Sequence, residues 1–257
     1  MTSDQLLKQE IKWLLNEKYA KKLTKRAKID IIRLKKREPL AYLIGNVPFL
    51  NCVIDLKYKP LIPRPETEHW TEQAIQDIKQ EKTRDIKCLD VFAGSGCIGI
   101  AILRNLKHAK VDFVDIKQGN LKQININLKL NNISPERYNV IESDIFQNIK
   151  CQHTYDYILA NPPYIATKEK KMIQKSMIKH EPQEALFAGK DGLMYIKRFL
   201  KEGKNYLKKN GKIYMEFGVK QKKPIENIIK KNNYPNYEFY KDQYRKWRYV
   251  ILTLLDP

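Results

Sequence analysis

Apolar residues follow two different spacings along the middle of the chain, and these spacings predict the order of its elements. Short apolar runs of strand length occupy residues 87–92, 110–115, 140–144 and 155–160. Apolar residues three and four apart, the spacing of a helix, cover residues 97–106 and 118–130. Strands that alternate with helices of this length form a parallel sheet with helices on both faces. The pattern therefore predicts an α/β fold with a doubly wound sheet.

The pattern differs in the first part of the chain. Helical spacing of Leu and Ile predicts helices over about 4–20 and 27–36, an appendage too short to hold a core alone. Two apolar runs, 49–56 and 61–63, predict a β-hairpin around the turn Lys57-Tyr58-Lys59. The chain is thus expected to contain a short helical region, a hairpin linker and an α/β domain, over residues 1–40, 41–68 and 69–257.

Further elements are predicted on either side of the strand–helix repeat. A proline and acidic residues favour a helix start at Pro65, and this helix runs through Ile78. Near the end of the chain, the pattern predicts a helix over 193–207, a turn at Asn210-Gly211 and strands over 212–217 and 249–255.

Composition narrows the class of protein. The 257 residues include 49 Lys and Arg against 29 Asp and Glu, so the net charge is 49 − 29 = +20. This excess fits an anionic partner such as RNA, or a chain simply rich in Lys, Ile and Asn, because the lysines are spread along its length. No apolar run approaches the roughly 18 residues that would span a membrane. The four cysteines and four histidines are scattered, which disfavours a metal site or a disulfide framework.

A glycine-rich segment connects the first predicted strand of the α/β domain to its helix. Gly94 and Gly96 stand in a G-x-G-x-x-G pattern, and glycine lets the backbone approach a ligand closely. The pattern alone also fits a dinucleotide site. Asp90, however, precedes the glycines and would be an awkward neighbour for a phosphate. It suits a cationic ligand with an amino-acid tail, such as S-adenosyl-L-methionine (AdoMet).

Polar side chains end three of the following strands. Asp115 is placed to accept from ribose hydroxyls, and Asp144, with Ile145 beside it, from an adenine amino group. Asn161 ends the next strand, within Asn161-Pro162-Pro163-Tyr164. A single such residue is usually a cap or a turn former. Several at one edge of a sheet, beside a glycine loop, favour an AdoMet pocket.

The two prolines after Asn161 fix the backbone, so its side chain is held at the lip of the sheet. A side-chain amide has one acceptor oxygen and two donor hydrogens, and can hold a planar NH2-bearing group. We therefore expect Asn161 and the Pro162 carbonyl to accept from the substrate amine, with Tyr164 packed against it.

At these residues the sequence resembles the class I AdoMet-dependent methyltransferases, and within them the HemK/PrmC-type protein-glutamine N5-methyltransferases. The resemblance covers roughly residues 38–257 and is carried by the segments 38–45, 62–68, 161–164, 180–193 and 216–218. It implies a Rossmann-like sheet, and methyl transfer from AdoMet to the glutamine of the Gly-Gly-Gln loop of a peptide chain release factor. We expect residues 1–40 to dock the substrate, with docking reduced or altered because this region is about half the family's usual length, and we expect a monomer that can bind nucleic acid directly but does not require it.

The resemblance and the pattern together give the candidate residues. The catalytic candidates are Asn161, Pro162 and Tyr164, and the further substrate-binding candidates are Pro163 and Arg64. The cofactor-binding candidates are Asp90, Phe92, Ala93, Gly94, Ser95, Gly96, Asp115, Asp144, Ile145 and Asn161. Phe92 stands where the family usually has Gly, and Ile145 where some members have Trp.

Two other functions also fit the sequence. Asn-Pro-Pro-Tyr is shared with enzymes that methylate the exocyclic amines of adenine or guanine, and the charge of +20 would suit a nucleic acid. A binding module without catalysis is the second alternative, disfavoured by the intact Asn161 and Tyr164. The basic N-terminal region and the net charge suggest a mitochondrial protein, with the cytoplasm as the alternative.

Overall fold

A computed structural model describes residues 2–81 and 85–254. The helices are α1 (Ser3–Tyr19), α2 (Lys25–Lys35), α3 (Leu40–Ile44), α4 (Pro65–Gln80), α5 (Cys97–Asn105), α6 (Gln118–Leu130), α7 (Lys175–His180), α8 (Met194–Glu202) and α9 (Lys222–Lys231). The strands are β1 (Asn46–Phe49), β2 (Cys52–Asp55), β3 (Lys87–Val91), β4 (Lys110–Asp115), β5 (Tyr138–Glu142), β6 (Tyr155–Ala160), β7 (Leu207–Glu216), β8 (Asn236–Lys241) and β9 (Trp247–Thr253).

Seven strands form the central sheet, in the order β5-β4-β3-β6-β7-β9-β8. The strands from β5 to β7 in this order are parallel, and β9 is antiparallel to both of its neighbours. The order reverses between β3 and β6, and ligands of open α/β sheets bind at such a switch point, outside the carboxyl ends of the strands. The predicted doubly wound α/β fold is confirmed.

A hairpin exists in this part of the chain, but the predicted strands, 49–56 and 61–63, and the predicted turn at 57–59 were wrong. β1 and β2 pair antiparallel around Leu50 and Asn51, which have φ of +43° and +64°. Positive φ at both central residues is the geometry of the tight turn that matches strand twist, and glycine usually marks it. No glycine stands at either position, so nothing in the local pattern marked the turn. Residues 61–63 are not a strand, and Pro60 before them and Pro63 among them lack the backbone N–H groups that a strand pair uses.

The open edge of β2 is paired by the side chains of a helix. Asn127 of α6 and Asn131, which caps the C-terminus of α6, each donate to and accept from one residue of β2: Asn131 bonds Val53 at 3.0 and 2.8 Å, and Asn127 bonds Asp55 at 2.8 and 3.2 Å. Asn127 also donates to the Ser95 carbonyl at 2.9 Å, within the glycine loop. These amides satisfy backbone groups that would otherwise lack partners, and they fix the linker against the α/β domain.

The N-terminal helices bury a small apolar cluster of their own. Leu14, Leu34 and Leu43 from α1, α2 and α3 are almost inaccessible to solvent. The buried carboxylate of Asp30 accepts from Lys18 at 2.9 Å. Burial raises the pKa of Asp30, but this contact is one of the hydrogen bonds that hold it below the usual value. Leu43 lies beyond residues 1–40, so the cluster joins the N-terminal helices to the start of the linker, and the expectation that they cannot hold a core alone stays a prediction. The division of the N-terminal region from the hairpin and the α/β domain stays a prediction.

The C-terminal part differs most from the pattern-based expectation. α8 ends at Glu202, and the ten-residue β7 runs through the predicted turn, with Asn210 at φ +60° and a register shift against β6. α9 and β8 were not predicted. The last predicted strand corresponds to β9, and Leu255, its predicted end, lies outside the described residues.

Candidate functional site

The loop between β3 and α5 lies at the switch point and is shaped by its glycines. Gly94 and Gly96 have φ of +56° and +79°, which glycine adopts at little cost. Gly99 lies in the first turn of α5, and a Cβ there would come within 2.3 Å of the Phe113 ring. Its missing side chain therefore lets α5 pack directly against β4.

Two other residues at this edge hold strained backbone conformations. Phe92 has φ +61° and Ile145 has φ +57°, a region that β-branched and bulky residues rarely occupy. The Phe92 ring packs against Tyr195 and Phe199, with centroids 6.0 and 6.1 Å apart. Glycine, which the resemblance implies at the Phe92 position, would adopt this left-handed backbone at little cost, whereas here a phenylalanine adopts it.

A cavity of about 200 Å³ opens beside this loop. Eight of the ten predicted cofactor residues line it: Phe92, Ala93, Gly94, Ser95, Asp115, Asp144, Ile145 and Asn161. Gly96 and Asp90 do not. The structure thus brings residues from the carboxyl ends of β3, β4, β5 and β6 to one cavity, and their individual roles stay predictions.

The two acidic side chains of this cavity are held differently. Asp115 is 7% exposed, and its two carboxylate oxygens accept from the backbone N–H groups of Gly94 and Lys117, each at 2.8 Å. Burial raises its pKa above the usual value, although both hydrogen bonds oppose the shift. Asp144 pairs with Arg198 of α8 at 2.8 Å. The sequence predicted Asp144 as an acceptor for an adenine amino group, but did not predict this ion pair.

Asp90 lies beneath the cavity rather than at its surface. It is fully buried at the end of β3, where one carboxylate oxygen accepts from the Gly99 N–H at 2.9 Å and the other has no protein partner. Burial raises the pKa of Asp90 to about 7, with a smaller contribution from the charge of Asp115. Its place supports a role in fixing the start of α5, and does not support direct contact with a ligand.

Asp90→Asn is expected to gain stability relative to the wild-type protein as pH rises. The folded pKa of about 7 lies above the ordinary 3.8, so the folded protein holds more protons between these values and loses stability as pH increases. Asp90→Asn keeps the hydrogen bond from Gly99 without a titrating charge. Urea unfolding at pH 5 and pH 7.5 measures the free energy of unfolding of the variant minus that of the wild type. This difference should increase between the two pH values by a few kcal/mol at most. An unchanged difference would contradict this account.

A smaller cavity, of about 50 Å³, adjoins the first one. Asn161 lines both, and Pro162 and Tyr164 line only the smaller. Asn161 Nδ2 donates to the Thr67 hydroxyl at 3.2 Å, and the Tyr164 hydroxyl donates to buried Glu216 at 3.1 Å. The four-residue motif therefore lies where a large and a small pocket meet.

Arg64, a predicted substrate-binding residue, lines both cavities but is already paired. One of its guanidinium nitrogens donates to both oxygens of Glu181, at 2.6 and 2.7 Å. Glu181 is 5% exposed and also accepts from the Ile62 N–H at 3.3 Å. The pair ties the linker to the segment after Tyr164, so Arg64 shapes the pocket wall with much of its charge neutralised.

Several residues of the site were not found from the sequence. Thr67 was named only as part of a helix start, although it contacts Asn161. Other lining residues that were missed are Ile116, Lys117, Asn120, Ser143, Glu184, Tyr195 and Arg198. The pair Tyr195 and Arg198, three apart on α8, carried a usable signal, because such residues share one face of a helix.

Membrane-spanning helices and metal-binding clusters are both absent from the part of the chain that the structure describes. None of its helices is both long and apolar enough to cross a bilayer. Within residues 2–81 and 85–254, no group of three or more His, Cys, Asp or Glu side chains is arranged to hold a metal ion.

Solved structures similar to this one include complexes with AdoMet and with SAH. The N-terminal domain of human METTL16 in complex with SAH is 17% identical, with a TM-score of 0.57 over 81% of this chain and 77% of that one. TYW2 of M. jannaschii in complex with AdoMet is 16% identical, with a TM-score of 0.52 over 81% and 84%. The fold is that of the class I AdoMet-dependent methyltransferases.

Sequence comparison narrows this class. The Methyltransferase small domain family matches residues 71–191. A release factor glutamine methyltransferase of Flavobacterium psychrophilum is 32% identical over 86% of this chain and 77% of its own length. One of Fusobacterium nucleatum is 35% identical over 86% of this chain, which spans 61% of that relative. The chain belongs to the release factor glutamine methyltransferase family, which confirms the resemblance read from its motifs.

Proposed function

We propose that this chain transfers a methyl group from AdoMet to the side-chain amide nitrogen of the glutamine in a release factor's Gly-Gly-Gln loop. The observation that carries the proposal is Asn161, which lies where the larger cavity meets the smaller one. A methyl donor in the first and an amide in the second would come together at this residue. Family membership supports the choice of glutamine over other planar amines.

The larger cavity has the chemistry that AdoMet requires. Asp115 retains lone pairs for hydroxyl groups beyond its two backbone hydrogen bonds, and Ile116, Ile145 and Tyr195 offer apolar surface for an aromatic base. The glycine loop gives backbone access without side chains at Gly94. When bound, AdoMet supplies an electrophilic methyl group on a sulfonium sulfur.

The residues of the smaller cavity would orient the substrate. An amide nitrogen is a poor nucleophile, since its lone pair is delocalised into the carbonyl. Acceptance of the two N–H hydrogens by Asn161 Oδ1 and the Pro162 carbonyl would fix the nitrogen's direction and favour pyramidalisation. Such positioning can lower a barrier by several kcal/mol, up to about 7–11 in ideal cases. Tyr164 would pack against the amide plane.

No strong base is needed if the proton leaves after methyl transfer. Glu216 is the carboxylate that lines the smaller cavity, and it is 1% exposed. Its oxygens accept from Thr67, Trp70 and Tyr164. Burial raises its pKa, and these hydrogen bonds oppose the shift. It is therefore engaged with protein donors rather than poised to take a proton from substrate.

A labelling experiment tests the proposal. The protein is incubated with AdoMet carrying a labelled methyl group and either a purified release factor or bulk RNA. We expect label in the release factor, and none when its Gly-Gly-Gln is changed to Gly-Gly-Ala. Label in RNA instead would establish the alternative, an N-methyltransferase of adenine or guanine, which the net charge of +20 favours. Label in neither, with AdoMet bound, would indicate a non-catalytic binding module.

Compartment and assembly remain part of the proposal. The two relatives named above are from Fusobacterium nucleatum and Flavobacterium psychrophilum, and give no support to a mitochondrial location. The prediction of mitochondria, with the cytoplasm as alternative, rests on the basic N-terminal region and the net charge of +20. The prediction of a monomer without a required nucleic acid is checked by light scattering of the purified protein.

A further inference from the structure

We propose that Thr67 and Glu216 are positioning residues that fix the orientation of the Asn161 amide, so that its oxygen is the atom available to substrate. The inference rests on the proposed function, because it explains how Asn161 is prepared to accept from an amide N–H. It starts from three hydrogen bonds that lead from the start of α4 and the end of β7 to the end of β6.

The hydrogen bond from Trp70 identifies one oxygen of Glu216 as an acceptor. The indole N–H can only donate, and it lies 2.8 Å from Glu216 Oε2. That oxygen must therefore act as an acceptor, whether or not Glu216 carries a proton on its other oxygen. Glu216 is 1% exposed, and Trp70 is fully buried, so water does not compete for this contact.

The Thr67 hydroxyl connects this oxygen of Glu216 to the Asn161 amide. Its hydroxyl has a single hydrogen, and the hydroxyl lies 2.7 Å from the same accepting oxygen of Glu216. The hydrogen is committed to Glu216, which leaves only lone pairs on Thr67 Oγ1 for Asn161. A hydroxyl that can only accept selects the NH2 group of Asn161, 3.2 Å away.

The consequence lies at the other end of the Asn161 side chain. With Nδ2 bound to Thr67, Oδ1 becomes the free end of the amide. The reversed amide would place two oxygens against each other at Thr67 and present a donor to a substrate that itself donates. Glu216 also accepts from Tyr164 at 3.1 Å, so one buried carboxylate positions both polar side chains of the motif.

Thr67→Val tests the proposal, because it keeps the shape of the side chain and removes the hydroxyl. We expect turnover of the release factor to fall about 10- to 100-fold, as for loss of a catalytic positioning contact, with AdoMet affinity within about twofold. Thr67→Ser should restore most of the turnover. The matched control is Thr71→Val, one turn along α4, which loses a buried hydroxyl bonded to the Thr67 carbonyl at 2.7 Å. It should lose stability without a comparable fall in turnover.

A second readout does not depend on any substrate. The side-chain NH2 signals of Asn161 in ¹⁵N-labelled protein, assigned by their absence in Asn161→Ala, should shift in Thr67→Val and stay in place in Thr71→Val. Unchanged Asn161 signals, or equal turnover losses in Thr67→Val and Thr67→Ser, would overturn the inference. If the wild-type protein methylates no release factor, the proposed function fails, while the NMR comparison still decides how Asn161 is held.

Discussion

Asn161→Ala is expected to abolish methyl transfer while leaving AdoMet binding within about tenfold of wild type. The side chain offers the substrate an oxygen that no neighbouring residue replaces, so its loss removes the orientation of the reacting nitrogen. The cofactor would lose at most one hydrogen-bonding contact in a cavity lined by many residues, and one such contact corresponds to about 1.4 kcal/mol or less. Single-turnover labelling of the release factor and calorimetric titration with AdoMet measure the two quantities.

A matched control is Asn227→Ala, on the exposed face of α9, which should alter neither quantity. The proposed mechanism would be wrong if Asn161→Ala retained wild-type turnover. A parallel loss of turnover and of AdoMet affinity would instead assign Asn161 to cofactor binding alone.

Gly192→Ala is expected to lower the free energy of unfolding by about 2–4 kcal/mol, and turnover on the order of 100-fold. Gly192 is buried with φ +73°, and a Cβ there would lie 2.3 Å from the Tyr164 carbonyl oxygen and 2.9 Å from the Ala166 nitrogen. Backbone atoms cannot move aside as a side-chain end can, so the segment that carries Tyr164 must shift. Chemical unfolding and labelling of the release factor test the two effects.

Gly119→Ala provides the comparison for this substitution. Gly119 lies in α6, and a Cβ there would meet nothing within 4 Å. Alanine is a better helix former, so this variant should be neutral or stabilised by up to about 1 kcal/mol. If Gly192→Ala were as stable and active as Gly119→Ala, the close approach of Gly192 to Tyr164 would not constrain the site.

The predictable part of the site consisted of residues whose chemistry follows from their place in the chain. Asp115 ends a strand, and Asp144 and Asn161 follow strands by one or two residues, and the parallel sheet brings these strand ends together. Asp90, one residue before the end of β3, turns inward instead, and its carboxylate accepts from the Gly99 N–H below the surface. Local sequence does not distinguish these two outcomes.

Contacts made across long stretches of sequence could not be predicted. Thr67 is 94 residues from Asn161 and 149 from Glu216, and no periodicity relates them. The hairpin turn at Leu50 and Asn51 was missed because residues other than glycine adopt positive φ there. The strand β8 was missed because its half-buried and exposed residues lack a clear apolar run.

The amide side chains of Asn127 and Asn131 also affect the order in which the chain can fold as it is synthesised. A two-stranded hairpin is at best marginally stable alone in water. The outer edge of this one is completed by Asn127 and Asn131, which lie 72 and 78 residues further along than their partners in β2. A ribosome adds those residues only after it has made the whole glycine loop. During translation, the β1–β2 hairpin therefore keeps an unpaired edge until the helix that carries these amides has been made.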